Sequence, residues 1–202
     1  MRKFLLPVFA VVLPLFSACA TKPTLVEEGI GLTNNDSRGV AIVSVTLNDE
    51  FLQKFSQFGL VIQSGNTQTN ELMEIPVKQA MGRGPSPDVV VEGKSIGRVL
   101  AAPLPAGEYR LTGWRAFGYL PSTRRMSVTP NESSIPGYQT FATERRFTVS
   151  PGQFSYIGNL NIHIENRRQK DVVLLDQSTR DLGLVQKRWG VSPADVRVDL
   201  AQ

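Results

Sequence analysis

The chain has 202 residues, a formal net charge of +4, one cysteine and one histidine. That balance excludes a strongly basic nucleic-acid-binding surface, the lone cysteine excludes an internal disulfide framework, and the length suits one domain whose core stands without cross-links. Glycine (17) and proline (13) are frequent, aromatics make up 8%, and apolar residues come in short clusters between turn formers, which predicts strands rather than long helices.

The first element in chain order is a leader. Arg2 and Lys3 precede an apolar run from Phe4 to Phe16, and the small residues Ser17 and Ala18 lead into Cys19. A charged start, a hydrophobic middle and a small-residue exit read as a secretory signal peptide over 1–18. The run is interrupted by Pro7 and Pro14 and is shorter than the ~20 residues a bilayer span needs, so the leader is expected to be cleaved. Losing Arg2 and Lys3 halves the formal charge.

Leu15-Phe16-Ser17-Ala18-Cys19 resembles the lipobox of bacterial lipoproteins, with Phe16 where a Leu is usual. The resemblance implies a diacylglyceryl thioether on Cys19, cleavage before it, and acylation of the new amino terminus, with palmitate as the expected fatty acid. The rest of the composition agrees, because an unpaired thiol in a secreted protein is a liability unless consumed. Burial contributes about 0.8 kcal/mol per methylene, so two or more acyl chains hold a membrane firmly where one binds reversibly. Ala20 follows the cysteine instead of Asp, and in lipoproteins of the enterobacterial kind that implies export to the outer membrane, with the domain facing the periplasm. Residues 19–38 are then the lipidated cysteine and its tether, and 39–202 form a single domain.

Within that domain, Val40 to Leu47 is rich in β-branched residues, and Ala41, Val43, Val45 and Leu47 make one wholly apolar face, which predicts a core strand. Phe51, Phe55 and Phe58 recur at helical spacing and are read as a lid on a sheet edge. Strands follow at Gly59–Gln63 and around Leu72–Val77, separated by the Ser64-Gly65-Asn66 turn. Gln79 to Pro87 is an exposed loop, and its Gly82-Arg83-Gly84 is no phosphate cradle because prolines follow it where a helix would have to open.

Pro105-Ala106-Gly107 supplies a turn, with Tyr109 and Leu111 on one face of the next strand and Arg110 and Thr112 on the other. The arrangement returns at Ser150-Pro151-Gly152, ahead of Phe154 to Glu165. There Phe154, Tyr156, Leu160, Ile162 and Ile164 are expected inward, and Asn159, Asn161, His163 and Glu165 outward. Two such hairpins predict a mainly β fold, an antiparallel β-sandwich. The pair LPAGEYRLTGW and RFTVSPGQFSYIGNL resembles the small transthyretin-like or prealbumin-like sandwiches, especially the DUF2846-type domains of bacterial lipoproteins, over about residues 40–165. Those families have no common catalytic residue to carry over, and the insertion Tyr119–Phe141 is longer than a minimal sandwich needs. It reads as a long connection with a short hairpin around Met126–Val128.

Arg167 to Lys170 reads as a basic turn before a short apolar strand, Val172–Leu175. Ser178 to Asp181 has cap-and-acid spacing, and Leu182, Val185 and Trp189 predict a short C-terminal helix stopped at Gly190, with Trp189 packed on the sheet and Ser192 opening a further turn.

No Gly-x-Ser-x-Gly elbow is present, and one histidine with no cysteine partner supports neither a catalytic triad nor a zinc site. His163 with Glu165 is read as a solvated strand surface. No catalytic, cofactor or metal residue is assigned. The expectation is a non-catalytic envelope lipoprotein, a binding or structural module anchored through Cys19 and engaging an envelope protein or an envelope polymer rather than nucleic acid. Two alternatives remain. One is an enzyme acting on envelope glycan or peptide from the 79–95 and 119–141 loops. The other is an anionic-lipid or lipopolysaccharide binder using Arg124, Arg125, Arg145, Arg146, Arg167 and Arg168.

Overall fold

A computed structural model describes residues 37–48, 57–65, 72–77, 89–91, 95–119, 125–127, 138–165 and 168–202. They are mostly strand, with one α-helix. The strands are β1 (Arg38–Asn48), β2 (Gln57–Ser64), β3 (Leu72–Val77), β4 (Val89–Val91), β5 (Ser95–Pro105), β6 (Gly107–Tyr119), β7 (Arg125–Ser127), β8 (Tyr138–Val149), β9 (Phe154–Glu165), β10 (Arg168–Leu175) and β11 (Val196–Val198). The helix α1 (Ser178–Trp189) and a 3₁₀ turn (Pro193–Asp195) lie between β10 and β11.

One sheet runs β10-β9-β1-β5-β4 with β11 added on β9, and the other β3-β2-β6-β7 with β8 added on β6. They share an apolar core in which Val43, Val45, Leu100 and Leu160 of the first meet Leu60, Ile62, Leu111 and Trp114 of the second. The first sheet is mixed. β1 pairs antiparallel with β5 but parallel with β9, and β11 also runs parallel to β9, so the expectation of antiparallel pairing throughout is corrected.

The two Pro/Gly turns are corrected as well: neither is a hairpin. β5 pairs with β1 and β4 while β6 pairs with β2, β7 and β8, so Ala106 carries the chain from one sheet to the other. The Ser150–Gln153 turn does the same between β8 and β9. Both are arches. In the first, the Tyr109 hydroxyl donates to the Pro105 carbonyl at 2.7 Å. In the second, Gly152 N–H donates to Arg38 O and Val40 N–H to Gln153 O, each at 2.8 Å, which ties the arch to β1. An antiparallel pair of strands read from sequence need not be a bonded pair, because a sandwich core rewards crossing over as much as turning back.

β1 is buried on both faces, which explains its unbroken apolar composition. Its odd-numbered residues face the other sheet, and Val40 and Ile42 face α1 in a second core with Val99, Tyr156, Leu182 and Val185. β9 divides differently from its alternation. Its register on β1 shifts between Ile42 and Val43, so that Ile42 pairs with Tyr156 and Val43 with Gly158. The extra residue reverses the side-chain parity. Phe154 and Tyr156, expected inward with Leu160 and Ile162, lie on the helix side, whereas Ile157, Leu160 and Ile162 lie between the sheets. Asn159, expected outward, is buried at 1% exposure, while His163 is exposed as predicted. Gly158 has φ 118°, a conformation that side chains of L-residues resist.

A shift on β6 between Leu111 and Gly113 acts likewise. It turns Trp114 into the same core as Tyr109 and Leu111, and Thr112, expected on the outer face, is buried with its hydroxyl donating to Val61 O.

β10 begins at Arg168, opposite Glu165, so Arg168 to Lys170 are strand and not turn. Phe58 falls in β2, which removes it from the proposed helical stripe; Phe51 and Phe55 lie outside the described residues. β4 lies inside the 79–95 segment, and β7 with the start of β8 inside 119–141; the 79–87 loop itself lies outside the described residues.

α1 follows its predicted pattern, with Leu182 and Val185 buried and Trp189 half-buried against the second core. Gly190 stops it at φ 70°, its N–H bonded to Gln186 O. The cap differs from expectation. Gln177 is the N-cap residue and makes no side-chain cap bond, while the Asp176 carboxylate accepts the Ser178 N–H at 2.9 Å. Ser192 caps the following 3₁₀ turn through the Ala194 N–H.

The final residues join the sheets. Asp199 and Ala201 donate to Tyr156 O and Ile157 O of β9, and Gln202 exchanges two backbone bonds with Arg146 of β8, at 2.6 and 3.0 Å. Farther along the same seam, the buried Trp114 indole N–H donates to Gln169 Oε1 of β10 at 2.6 Å.

Candidate functional site

Two places collect polar side chains. The first lies beneath α1. Parity places Ser44 and Thr46 of β1 on the helix side, and the β9 bulge brings Asn159 there beside Tyr156. From α1, Asp181 points inward instead of capping the helix. Ser44 Oγ and Tyr156 Oη donate to Asp181 Oδ2 at 2.5 and 2.6 Å, and Arg180 Nε donates to Oδ1 at 2.8 Å. Asn159 Nδ2 donates to Ser44 Oγ at 2.6 Å, and Thr46 Oγ1 donates to Asn159 Oδ1 at 3.3 Å.

Ser44, Tyr156 and Asp181 are all at 0% exposure. Burial pushes the Tyr156 hydroxyl above the ordinary tyrosine range, and its hydrogen bond to Asp181 and that residue's negative charge push the same way. The cluster therefore keeps Tyr156 protonated as a donor to a carboxylate. A serine hydroxyl next to a carboxylate suggests nucleophilic chemistry, but this hydroxyl is spent on Asp181 and is closed to solvent. The arrangement fastens a helix to a sheet.

The second place is a groove of about 390 Å³ where the tail parts from β8. Glu108 and Arg110 of β6, Arg146 and Thr148 of β8, and Asp199 and Leu200 of the tail line it. Arg110 and Arg146 are cross-strand partners. Glu144 accepts from Arg110 at 3.3 Å, and Asp199 pairs with Arg197 at 3.4 Å. Tyr109 and Phe147 border it, but their rings, stacked with centroids 5.4 Å apart, belong to the core between the sheets. Both signs of charge meet in it.

The six arginines named from sequence do not form one patch. Arg145 and Arg146 sit opposite Leu111 and Arg110, whereas Arg125 sits opposite Tyr119 at the other end of β6, about 30 Å away at strand spacing. Arg168 opens β10 opposite Glu165, the last residue of β9. Arg124, Arg167 and Cys19 lie outside the described residues. Of the four described, Arg146 alone lines the groove, and its partner Arg110 was missed because strand register is not visible in a linear sequence. Asp181 was read as a capping acid, and no local signal marks it as buried, since Ser44 is 137 positions away. His163 and Asp171 are exposed cross-strand partners. Among the described residues, no group of three His, Cys, Asp or Glu side chains is placed to hold a metal ion, and no helix is long and apolar enough to cross a membrane.

Comparison with protein-family models and with curated proteins gives no match. Among solved structures, the chain is similar to a leucine-rich repeat protein from Bacteroides thetaiotaomicron at 12% identity and a TM-score of 0.36, covering 64% of this chain. The match spans 14% of that protein's length, and a likeness this slight carries no argument about fold or function.

Proposed function

We propose that the chain is a lipid-anchored bacterial envelope lipoprotein whose β domain is a non-catalytic binding or structural module, held at the outer membrane and facing the periplasm. The observation that carries the reading is the leader with its Leu15–Cys19 segment and a sole cysteine at the cleavage point. The fold is compatible: β1 begins at Arg38, so residues 20–37 separate the lipid site from the first strand. A transthyretin-like sandwich remains the finer reading of the fold, supported by two sheets around one core and two arches at the quoted motifs, and modified by the parallel β1–β9 pair.

The non-catalytic reading draws support from the Ser44–Tyr156–Asp181 cluster, where the most reactive-looking polar group among the described residues is a closed fastening. Binding of an anionic headgroup is the second reading, favoured by Arg110 and Arg146 side by side at the groove.

Metabolic labelling with a clickable palmitate tests the anchor. The protein is expected to take up label and fractionate with membranes, and Cys19→Ser to lose the label and accumulate with its leader attached. An unlabelled wild-type protein overturns the reading.

A further inference from the structure

We infer that α1 is a cap that opens separately from the six-stranded sheet, and that the Asp181 carboxylate is the catch that keeps it shut. The apolar hold is narrow. Leu182 and Val185 are the fully buried apolar side chains of α1, and Leu184 and Trp189 are only partly covered. A twelve-residue helix is marginal without tertiary support. Two apolar side chains on an apolar sheet face supply attraction but little registry, since dispersion and hydrophobic contacts are non-directional.

Direction comes from hydrogen bonds: near the end of the helix Arg188 Nη1 donates to Val99 O of β5 at 3.2 Å, and at its start the Asp181 carboxylate makes the shorter, fully buried set. Its Oδ2 takes a hydrogen bond from β1 through Ser44 and another from β9 through Tyr156, so a single group spans two adjacent strands. Ser44 is fixed in turn. Its oxygen accepts from Asn159, which leaves its proton for Asp181. On the helix itself, Arg180 spends only Nε on Asp181, and its buried Nη2 has no partner. The charge of Asp181 is met within the helix by the Arg180 guanidinium and across to the sheet by the two hydroxyls, and it is the hydroxyls that are lost when the helix lifts.

The sheet below does not depend on α1 for its backbone bonds. β1 is paired along its length with β5 on one side and through Val40–Leu47 with β9 on the other. The helix is bracketed by Asp176–Gln177 before it and by Gly190 at φ 70° after it, irregular points at which a segment can swing. A weakly held helix between two hinges, over a sheet complete without it, is the arrangement in which local opening precedes global unfolding.

Amide hydrogen exchange on the folded full chain tests the inference. In the wild type, amides of 182–189 are expected to exchange through an opening less costly than that of 40–47. Asp181→Asn retains size but not charge, and it should speed exchange at 182–189 by about 10- to 100-fold while leaving 40–47 unchanged. Tyr156→Phe keeps the ring and removes one donor, and it should give a smaller rise, about 3- to 10-fold, over the same residues. Acceleration of both segments together in either variant overturns the inference, as does wild-type exchange of the helix in Asp181→Asn. If Asp181→Asn does not fold, Tyr156→Phe decides by the same comparison.

Discussion

The two faces of the six-stranded sheet are built by different means. Toward the second sheet, β1 presents Ala41, Val43, Val45 and Leu47 to a broad apolar core that includes Trp114, Leu60 and Ile62. Toward α1, it presents Val40 and Ile42, then Ser44 and Thr46, and the contact narrows to a few apolar side chains around a buried carboxylate. The first face is held by area, a term roughly proportional to apolar surface removed from water and indifferent to small shifts. The second is held by direction, where a misplaced donor leaves a buried polar atom unpaired. The wide face should therefore govern whether the chain folds, and the narrow face where its helix sits.

Truncation on each side is the strongest way to break that contrast. Trp114→Ala removes a fully buried indole and leaves Gln169 Oε1 without its donor, and it should cost about 3–5 kcal/mol. Leu182→Ala, on the helix face, should cost about 2 kcal/mol, toward the lower end for a leucine because the site is already at a margin where the helix can settle. Urea unfolding measures both. Equal losses, or a larger one at Leu182, would show that the two faces are not unequal in this sense.

A middle-sized effect concerns the residue that separates the faces on β9. Gly158→Ala must place a Cβ 2.7 Å from Leu174 Cδ1 and hold a non-glycine residue at φ 118°, so a loss of about 1–3 kcal/mol is expected. Thermal unfolding reads the size. Because the bulge puts Tyr156 and Leu160 on opposite faces of the sheet, the substitution should also weaken protection of α1, whereas a variant with unchanged melting would show that the bulge is not needed to divide them.

The division was only partly legible in the sequence. The β1 alternation, the sites of both Pro/Gly arches, and the Leu182–Val185–Trp189 strip are local patterns, and each lies where periodicity put it. Which strands pair is not local. The parallel β1–β9 contact joins Ile42 to Tyr156, and nothing in either segment distinguishes it from an antiparallel neighbour. Bulges escaped for another reason. One extra residue reverses the inward set beyond it, so Asn159 became buried and Phe154 left the shared core although the alternation itself was read correctly. Asp181 had a sound local explanation as a first-turn acid, and the buried partners that displaced it lie on strands far away in sequence.

The smallest effect sharpens the contrast at the start of α1. Asp176 is exposed and accepts the Ser178 N–H, and that bond holds its carboxyl below the usual aspartate range. A folded-state pKa below the unfolded value means that the bond's stabilisation is present above the unfolded pKa of about 3.9 and is lost as pH falls through the folded value. Asp176→Asn should thus lower stability by under about 1 kcal/mol at neutral pH, as for a weak cap. The gap from wild type should close on acidification below about pH 4. Thermal unfolding of both proteins across that range checks it. A gap that stayed constant with pH would place the Asp176 contribution in shape and not in charge, and α1 would then lean still more heavily on Asp181 for its orientation.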